Sequence, residues 1–301
     1  MHRSISHETG SMHESAFERL DRTGDILEEL QESWDDYRRN RQTQFSMETN
    51  GGDEAAADAW HASFGTYVSR ALGQGRMAEY MAEVVIGEDD RVRIDNTTSY
   101  PFGAVCSLEI TASTGRQFVG TGWLANENTV VTAGHCVFMK DQGGWAASIR
   151  VIPGRNGAND TQRSASASRL FSVEGWTNDQ RPEADYGEIR LETGVPSAGS
   201  IGFVVGEDSD LARLRCHVIG YSADKPKGTM WGHVRPLKEV RSNVLVYETD
   251  TYGGNSGGPV FYVHGRDVYA VGIHNYGDLS GNMATRITDD VFHNMKRWMN
   301  T

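Results

Sequence analysis

The stretch "TGWLANENTVVTAGHC", residues 121–136, holds two short apolar runs parted by "ANEN" and ends on a histidine and a cysteine. A run of about four β-branched or aromatic residues, a polar turn and a second such run describe a pair of short strands, too brief for helices. The same texture continues on both sides, in "QFVG", "SIRVIP", "RCHVIGYS", "VLVYET", "PVFYV" and "VYAVGIH", separated by Gly, Asn and Asp turns. Many short, closely spaced strands predict a mainly β protein of antiparallel barrels or a sandwich, with no βαβ sheet.

The flanks differ. In residues 14–41, Leu20, Leu27 and Trp34 recur at seven with Leu30 and Tyr37 between them, and a second pattern, Trp60, Phe64, Tyr67, Ala71 and Leu72, follows; both predict amphipathic helices. At the other end Val291, Met295, Trp298 and Met299 mark one face of a terminal helix over 289–300, capped by Thr288 or Asp289. The expected order is a helical front over residues 1–83, a β body from 84 and a helical tail.

Of the 301 residues 38% are hydrophobic, enough for a core, and no apolar run approaches the ~20 residues of a membrane span. Residues 1–20 lack the apolar stretch of a secretory leader, so the chain as written reads as cytoplasmic, or as secreted if a leader has been removed. Net charge is −12, which opposes a nucleic-acid partner. Residues 1–83 hold eight Arg and no Lys against 16 acidic residues, a charge of −8, so the front is chemically distinct from the remainder. Cys106, Cys136 and Cys216 include no CxxC pair and predict no metal site; either Cys106 and Cys136 are bridged or they are buried thiols.

Chemistry concentrates in three places. "TDTYGGNSGGPVFYV", residues 249–263, sets Ser256 between glycine pairs; "TVVTAGHC" puts His135 at a strand end; "EADYGEIRL" puts Asp185 directly before an alternating strand, with Glu183 and Asp179 as rivals. A serine hydroxyl needs a base to take its proton, and the base needs a carboxylate to hold its other ring nitrogen. The order His, Asp, Ser, with separations of 50 and 71 residues, is that of chymotrypsin-like triads. Glycines before Ser256 let the amides of Gly254 and Ser256 turn together toward a developing oxyanion. These groups need no cofactor.

Together "TGWLANENTVVTAGHC", "DYGEIRL" and "GGNSGGPV" resemble the chymotrypsin-fold serine proteases, and "VVIGEDDRVRIDNTTSYP", "GYSADKPKGTMW" and "VGIHNYG" resemble the bacterial glutamyl endopeptidases among them. The resemblance runs from Val84 to the terminal helix. It implies two β-barrels, 84–195 and 196–288, a serine endopeptidase cutting after Glu and less readily Asp, and protein or peptide substrates. It also implies that His274 and Thr251 line the pocket for the glutamate side chain. Where the chymotrypsin pattern has an aspartate before the serine, paired with an amino group freed by processing, this chain has Asn255, and an amide cannot form that ion pair.

The hairpin "PVFYVHGRDVYAVGIH" gives a second route to His274. Pairing Val263 with Val268 brings His274 opposite Gly257, beside the serine. Asn275 to Gly277, "NYG", would continue as an exposed edge able to pair with substrate backbone. Glu83 precedes Val84, so a Glu-specific enzyme could release residues 1–83 as a propeptide. The competing expectations are a permanent adaptor through which residues 1–83 contact a regulatory protein, and a silent binding module on a protease scaffold.

Overall fold

The computed structural model describes residues 57–58, 85–264, 267–278 and 281–301. The two helical patterns of the front and the Glu83–Val84 bond lie outside them. Of residues 1–83 the described part is β1 (Ala57–Asp58), a two-residue strand that adds in parallel beside Phe118 and Val119.

The body is two barrels. After β2 (Val92–Ile94), the first barrel takes β3 (Val105–Thr111), β4 (Gln117–Asn126) and β5 (Thr129–Thr132). A short ribbon, β6 (Phe138–Met139) with β7 (Gly144–Trp145), precedes its last strands, β8 (Ser148–Pro153), β9 (Ala165–Ser172) and β10 (Gly187–Leu191). The order β4-β3-β8-β9-β10-β5 closes through β4 and β5, with all six strands antiparallel. The second barrel follows β11 (Gly202–Phe203) with β12 (Arg215–Gly220), β13 (Met230–Val240), β14 (Val244–Tyr247), β15 (Pro259–His264), β16 (Asp267–Asp278) and β17 (Gly281–Arg286), and closes through β16 and β17.

Side-chain alternation explains the strands. In β8 Ile149 and Val151 are buried while Ser148 and Arg150 face solvent, the period of two expected of a half-covered sheet. Leu108, Phe118, Trp123, Ile149, Ile152 and Ile189 of the first barrel are fully buried, each worth about 1.5–3 kcal/mol of burial.

Two departures from the expected division matter. β2 lies ahead of the first barrel in sequence but pairs with Met230–Gly232 of β13, so this part of the 84–195 stretch belongs to the second barrel. The C-terminal helix, Asp289–Met299, follows the second barrel yet packs on the first. Trp298 stacks on Phe171 at 5.9 Å and lies 5.8 Å from Tyr186, Asn294 Nδ2 donates to Tyr186 Oη at 2.8 Å, and Arg190 donates to the Trp298 carbonyl at 2.7 Å. Thr288 is its cap, accepting from Val291 N; Asp289 and Asp290 in its first turn and Lys296 and Arg297 in its last suit the helix dipole. Its buried face is Val291, Met295 and Trp298.

Cys106, Cys136 and Cys216 are all buried and unlinked, which decides between the bridge and the thiols. Among the described residues no helix is long and apolar enough to cross a membrane.

Candidate active site

β5 ends at Thr132, Ala133 stays extended, and a single helical turn, Gly134–Val137, carries His135 into the interior with no exposed surface. Asp185 ends the short turn Pro182–Ala184, and β10 begins two residues later. Its carboxylate grips His135 twice: Oδ1 accepts from the backbone N at 2.8 Å and Oδ2 lies 2.7 Å from Nδ1. Glu183, the rival, faces Arg181 at 4.0 Å and is more than a third exposed. Burial alone would push the imidazole's pKa down, but the Asp185 charge and hydrogen bond outweigh it and hold His135 well above the ordinary imidazole value. Nε2 of His135 is buried and has no hydrogen-bond partner among the described residues.

Ser256 comes to the same place on a turn from the second barrel. Its carbonyl accepts from Thr121 N at 2.9 Å and from Cys136 Sγ at 3.6 Å, which ties it to β4 and to the residue after His135. Its Oγ donates to the Asn275 carbonyl at 3.4 Å. Asn275 also donates through Nδ2 to the Asp185 carbonyl and, at 2.9 Å, to Thr285 Oγ1, so one side chain and its own carbonyl join the acid to the serine.

The turn's geometry follows from glycine. Gly254 has φ +97°, and a Cβ there would meet the Tyr221 carbonyl at 2.5 Å; Gly257 has φ +87°, and a Cβ would lie 2.1 Å from Thr132 Oγ1. The peptide preceding Gly254 has its carbonyl fixed by Ala223 N at 2.7 Å, and the peptide preceding Ser256 has its carbonyl fixed by Gly258 N at 2.8 Å. In a trans peptide the N–H points away from the C=O, so both amides turn away from these two donors. Asn255 Oδ1 accepts from Ser222 Oγ at 3.0 Å, and Thr121 Oγ1 both donates to Gly254 O at 2.7 Å and accepts from Tyr221 N at 3.0 Å.

His274 N donates to Gly258 O at 2.9 Å and Gly257 N donates to His274 O at 2.6 Å, so the hairpin register sets His274 against Gly257 and Gly258 as expected. His274 and Thr251 are fully buried, and Thr251 Oγ1 has no hydrogen-bond partner among the described residues. His274 Nδ1 lies 2.6 Å from Tyr247 Oη and 3.1 Å from the Met283 carbonyl. The exposed edge expected at residues 275–277 is corrected. Asn275, Tyr276 and Gly277 are buried, with Tyr276 opposite Met283 and Gly277 opposite Asn282 of β17, because β17 returns alongside them. The Asn275 side chain is turned to Asp185 and Thr285.

Sequence reasoning missed Thr121, Ser222, Tyr247 and the bracing role of Asn275. It also missed Asp250, whose carboxylate accepts from Ile86 N at 2.8 Å and Asp90 N at 2.9 Å one residue before Thr251. Among the described residues Asp90, His233 and Asp250 cluster closely enough to hold a cation. Several of their ligand atoms are engaged within the protein: Asp90 with Arg235, His233 Nδ1 as the acceptor from Asp250 N, and Asp250 with two amides, while His233 Nε2 is buried without a hydrogen-bond partner among the described residues.

Known proteins give this geometry its class. Residues 92–299 match the Trypsin family. Over 220 residues the chain is 41% identical to a Bacillus subtilis (strain 168) protein named extracellular metalloprotease, covering 72% of this chain and 70% of that one. Over 234 residues it is 37% identical to the glutamyl endopeptidase of Bacillus licheniformis, covering 74% and 72%. A solved Glu endopeptidase in complex with MPD superposes with a TM-score of 0.65 at 25% identity, over 72% of this chain and all of that one. The chain belongs to the trypsin family and is a serine endopeptidase. Within that family its relatives and fold put it with the glutamyl endopeptidases.

Proposed function

We propose that this endopeptidase cleaves after Glu, and less readily after Asp, using Ser256 as nucleophile, His135 as base and Asp185 as the group that holds His135. In that reading His135 Nε2 takes the Ser256 Oγ proton as the serine attacks the scissile carbonyl. The amides of Gly254 and Ser256 receive the oxyanion, and His135 returns its proton to the departing amine. Water then hydrolyses the acyl-enzyme by the same route. Asp185 keeps Nδ1 protonated and stabilises the imidazolium, while Asn275 fixes both Asp185 and Ser256 through backbone contacts.

The observation that carries the acidic preference is a buried His274 set against Gly257 and Gly258 of the serine turn, with a buried Thr251 five residues before the serine. Thr251 Oγ1 is buried with its hydrogen bonding unmet among the described residues. An unmet buried hydroxyl costs about 1–3 kcal/mol, a cost recovered when a substrate carboxylate accepts from it. Gly277 leaves room at the pocket mouth in this reading, and Asn275 acts as a brace.

Residues 1–83 fit a propeptide released between Glu83 and Val84. β1 lies on the edge of β4 at Val119, two residues before Thr121, whose amide holds Ser256. Ile86 N and Asp90 N are anchored on Asp250, next to the pocket residue Thr251. The name of the Bacillus subtilis relative supports the reading of an exported protein.

A peptide library cut by the wild type and by His274→Ala tests the preference, with fluorophosphonate labelling of Ser256 as the measure of active protein. The expected result is cleavage after Glu that His274→Ala abolishes. Cleavage after Lys or large apolar residues by both would end the Glu reading and leave the protease intact. Sequencing the amino terminus of active protein tests the propeptide: a start at Val84 supports it, and a fully active intact chain overturns it.

A further inference from the structure

We propose that Tyr247 is a positioning residue for specificity: its hydroxyl donates to His274 Nδ1 and so keeps a proton on Nε2, giving the pocket a hydrogen-bond donor for a carboxylate whether or not the imidazole is charged. The inference rests on the reading of His274 as the pocket residue.

The geometry favours donation by the tyrosine. A contact of 2.6 Å is short for N–H···O, whose usual value is about 2.9–3.0 Å, and ordinary when a hydroxyl is the donor. The other group at Nδ1, the Met283 carbonyl at 3.1 Å, accepts only and so competes for the opposite tautomer, with the proton on Nδ1; its contact is the longer of the two. A neutral imidazole carries one proton, and the partner of one nitrogen decides which nitrogen holds it. With Tyr247 O–H directed at Nδ1 the proton sits on Nε2. When the ring becomes cationic, Nδ1–H passes to Met283 O and Nε2–H is retained. Without the hydroxyl, the Met283 carbonyl can accept from Nδ1; the neutral ring then carries its proton there and turns a lone pair from Nε2 toward the substrate carboxylate. Tyr247 is fully buried on β14 with its ring 5.8 Å from that of His274, so the contact is held by packing.

Three other titratable groups on the surrounding elements have neighbours of their own. Arg286 of β17 bonds Arg241 O, Gly206 O and Asp208; Asp250 of the serine turn bonds His233 and two amides; and Tyr262 of β15 lies against Tyr269 of β16.

The test compares wild type and Tyr247→Phe on matched peptides with Glu or Gln before the scissile bond, across pH, normalised to fluorophosphonate-titrated sites. The Glu-to-Gln ratio of kcat/KM should fall about 10- to 100-fold in the variant on the alkaline side, the worth of one hydrogen bond to a charged group. The fall should lessen as the pH drops and the imidazole becomes charged. Histidine 15N NMR of otherwise wild-type protein carrying Ser256→Ala should show His274 bare at Nδ1 and protonated at Nε2 when neutral, which reads the tautomer even if Tyr247→Phe folds poorly. An unchanged ratio and pH profile, or a bare Nε2 in the neutral ring, overturns the inference. His274→Ala separates the two levels: retained Glu preference there removes the pocket reading itself, and the role of Tyr247 with it. Lost preference in His274→Ala beside an unaltered Tyr247→Phe removes the tyrosine alone.

Discussion

Ser222 Oγ donates to Asn255 Oδ1 at 3.0 Å, so the residue before Ser256 is held from within the second barrel by a neutral pair. The Asn255 side chain is therefore braced by a hydrogen bond between neutral groups. Ser222→Ala leaves the buried Asn255 oxygen short of a donor, a loss of about 1–3 kcal/mol. We expect a lower unfolding midpoint, and about a tenfold fall in kcat with a smaller change in KM as the neighbouring amides drift. Thermal unfolding and steady-state kinetics on titrated enzyme check both.

Asp185→Asn should lower kcat by about 10⁴, the effect of losing the correct imidazole tautomer. With His135 as the proposed base, it should also move the acid limb of the kcat/KM profile to lower pH, because a base works only when neutral and Asp185 is what raises this imidazole's pKa. The sign for stability follows. A histidine raised in the folded state stabilises it fully below its ordinary value of 6.5 and loses that contribution as pH rises through the folded value. The variant's deficit in unfolding midpoint should be larger at pH 5 than at pH 9.

Glu188 of β10 is fully buried, with neither carboxyl oxygen hydrogen-bonded among the described residues. Burial pushes its pKa from 4.5 up to about 9, against a smaller opposing pull from Arg190. Between those values the folded chain keeps a proton that the unfolded chain releases, so stability falls as pH rises through that window. Glu188→Gln should thus gain stability with pH, reaching about 3 kcal/mol at pH 7 by ~1.4 kcal/mol per unit. Denaturant titrations at pH 4.5 and 7 decide it; equal gains at both would sever the effect from ionisation.

The three buried thiols predict a reagent count. Native protein should yield no thiol to Ellman's reagent, and denatured, unreduced protein should yield three. A count of one after denaturation would mean a bridge. Reductant should leave activity unchanged.

Much of the fold was legible because strand period and turn residues act locally. Ile149 and Val151 alternate with polar neighbours, and the stripe of Val291, Met295 and Trp298 marks the terminal helix. His135 and Asp185 each stand at a strand boundary, and hairpin arithmetic was enough to set His274 against Gly257. What stayed hidden depends on partners far off in sequence. Thr121 meets Gly254 across 133 residues and Ile86 meets Asp250 across 164, and no periodicity reports such contacts. Residues 275–277 read as an open edge because only the return of β17 covers them. Tyr247 read as one more apolar strand residue in "VLVYET", since nothing in an alternating run tells where a hydroxyl will end.

The two barrels exchange their ends. β2, ahead of the first barrel, is a strand of the second; the C-terminal helix, beyond the second, is bolted to Phe171, Tyr186 and Arg190 of the first. If the proposed preference for Glu holds, Glu192, exposed in the connection between them, is an inviting bond for a second copy of the enzyme. A nick there would sever the covalent link yet leave each half clasping a piece of the other. Such a molecule tolerates its own trade: it should run as two bands on a denaturing gel and still as one working enzyme in solution.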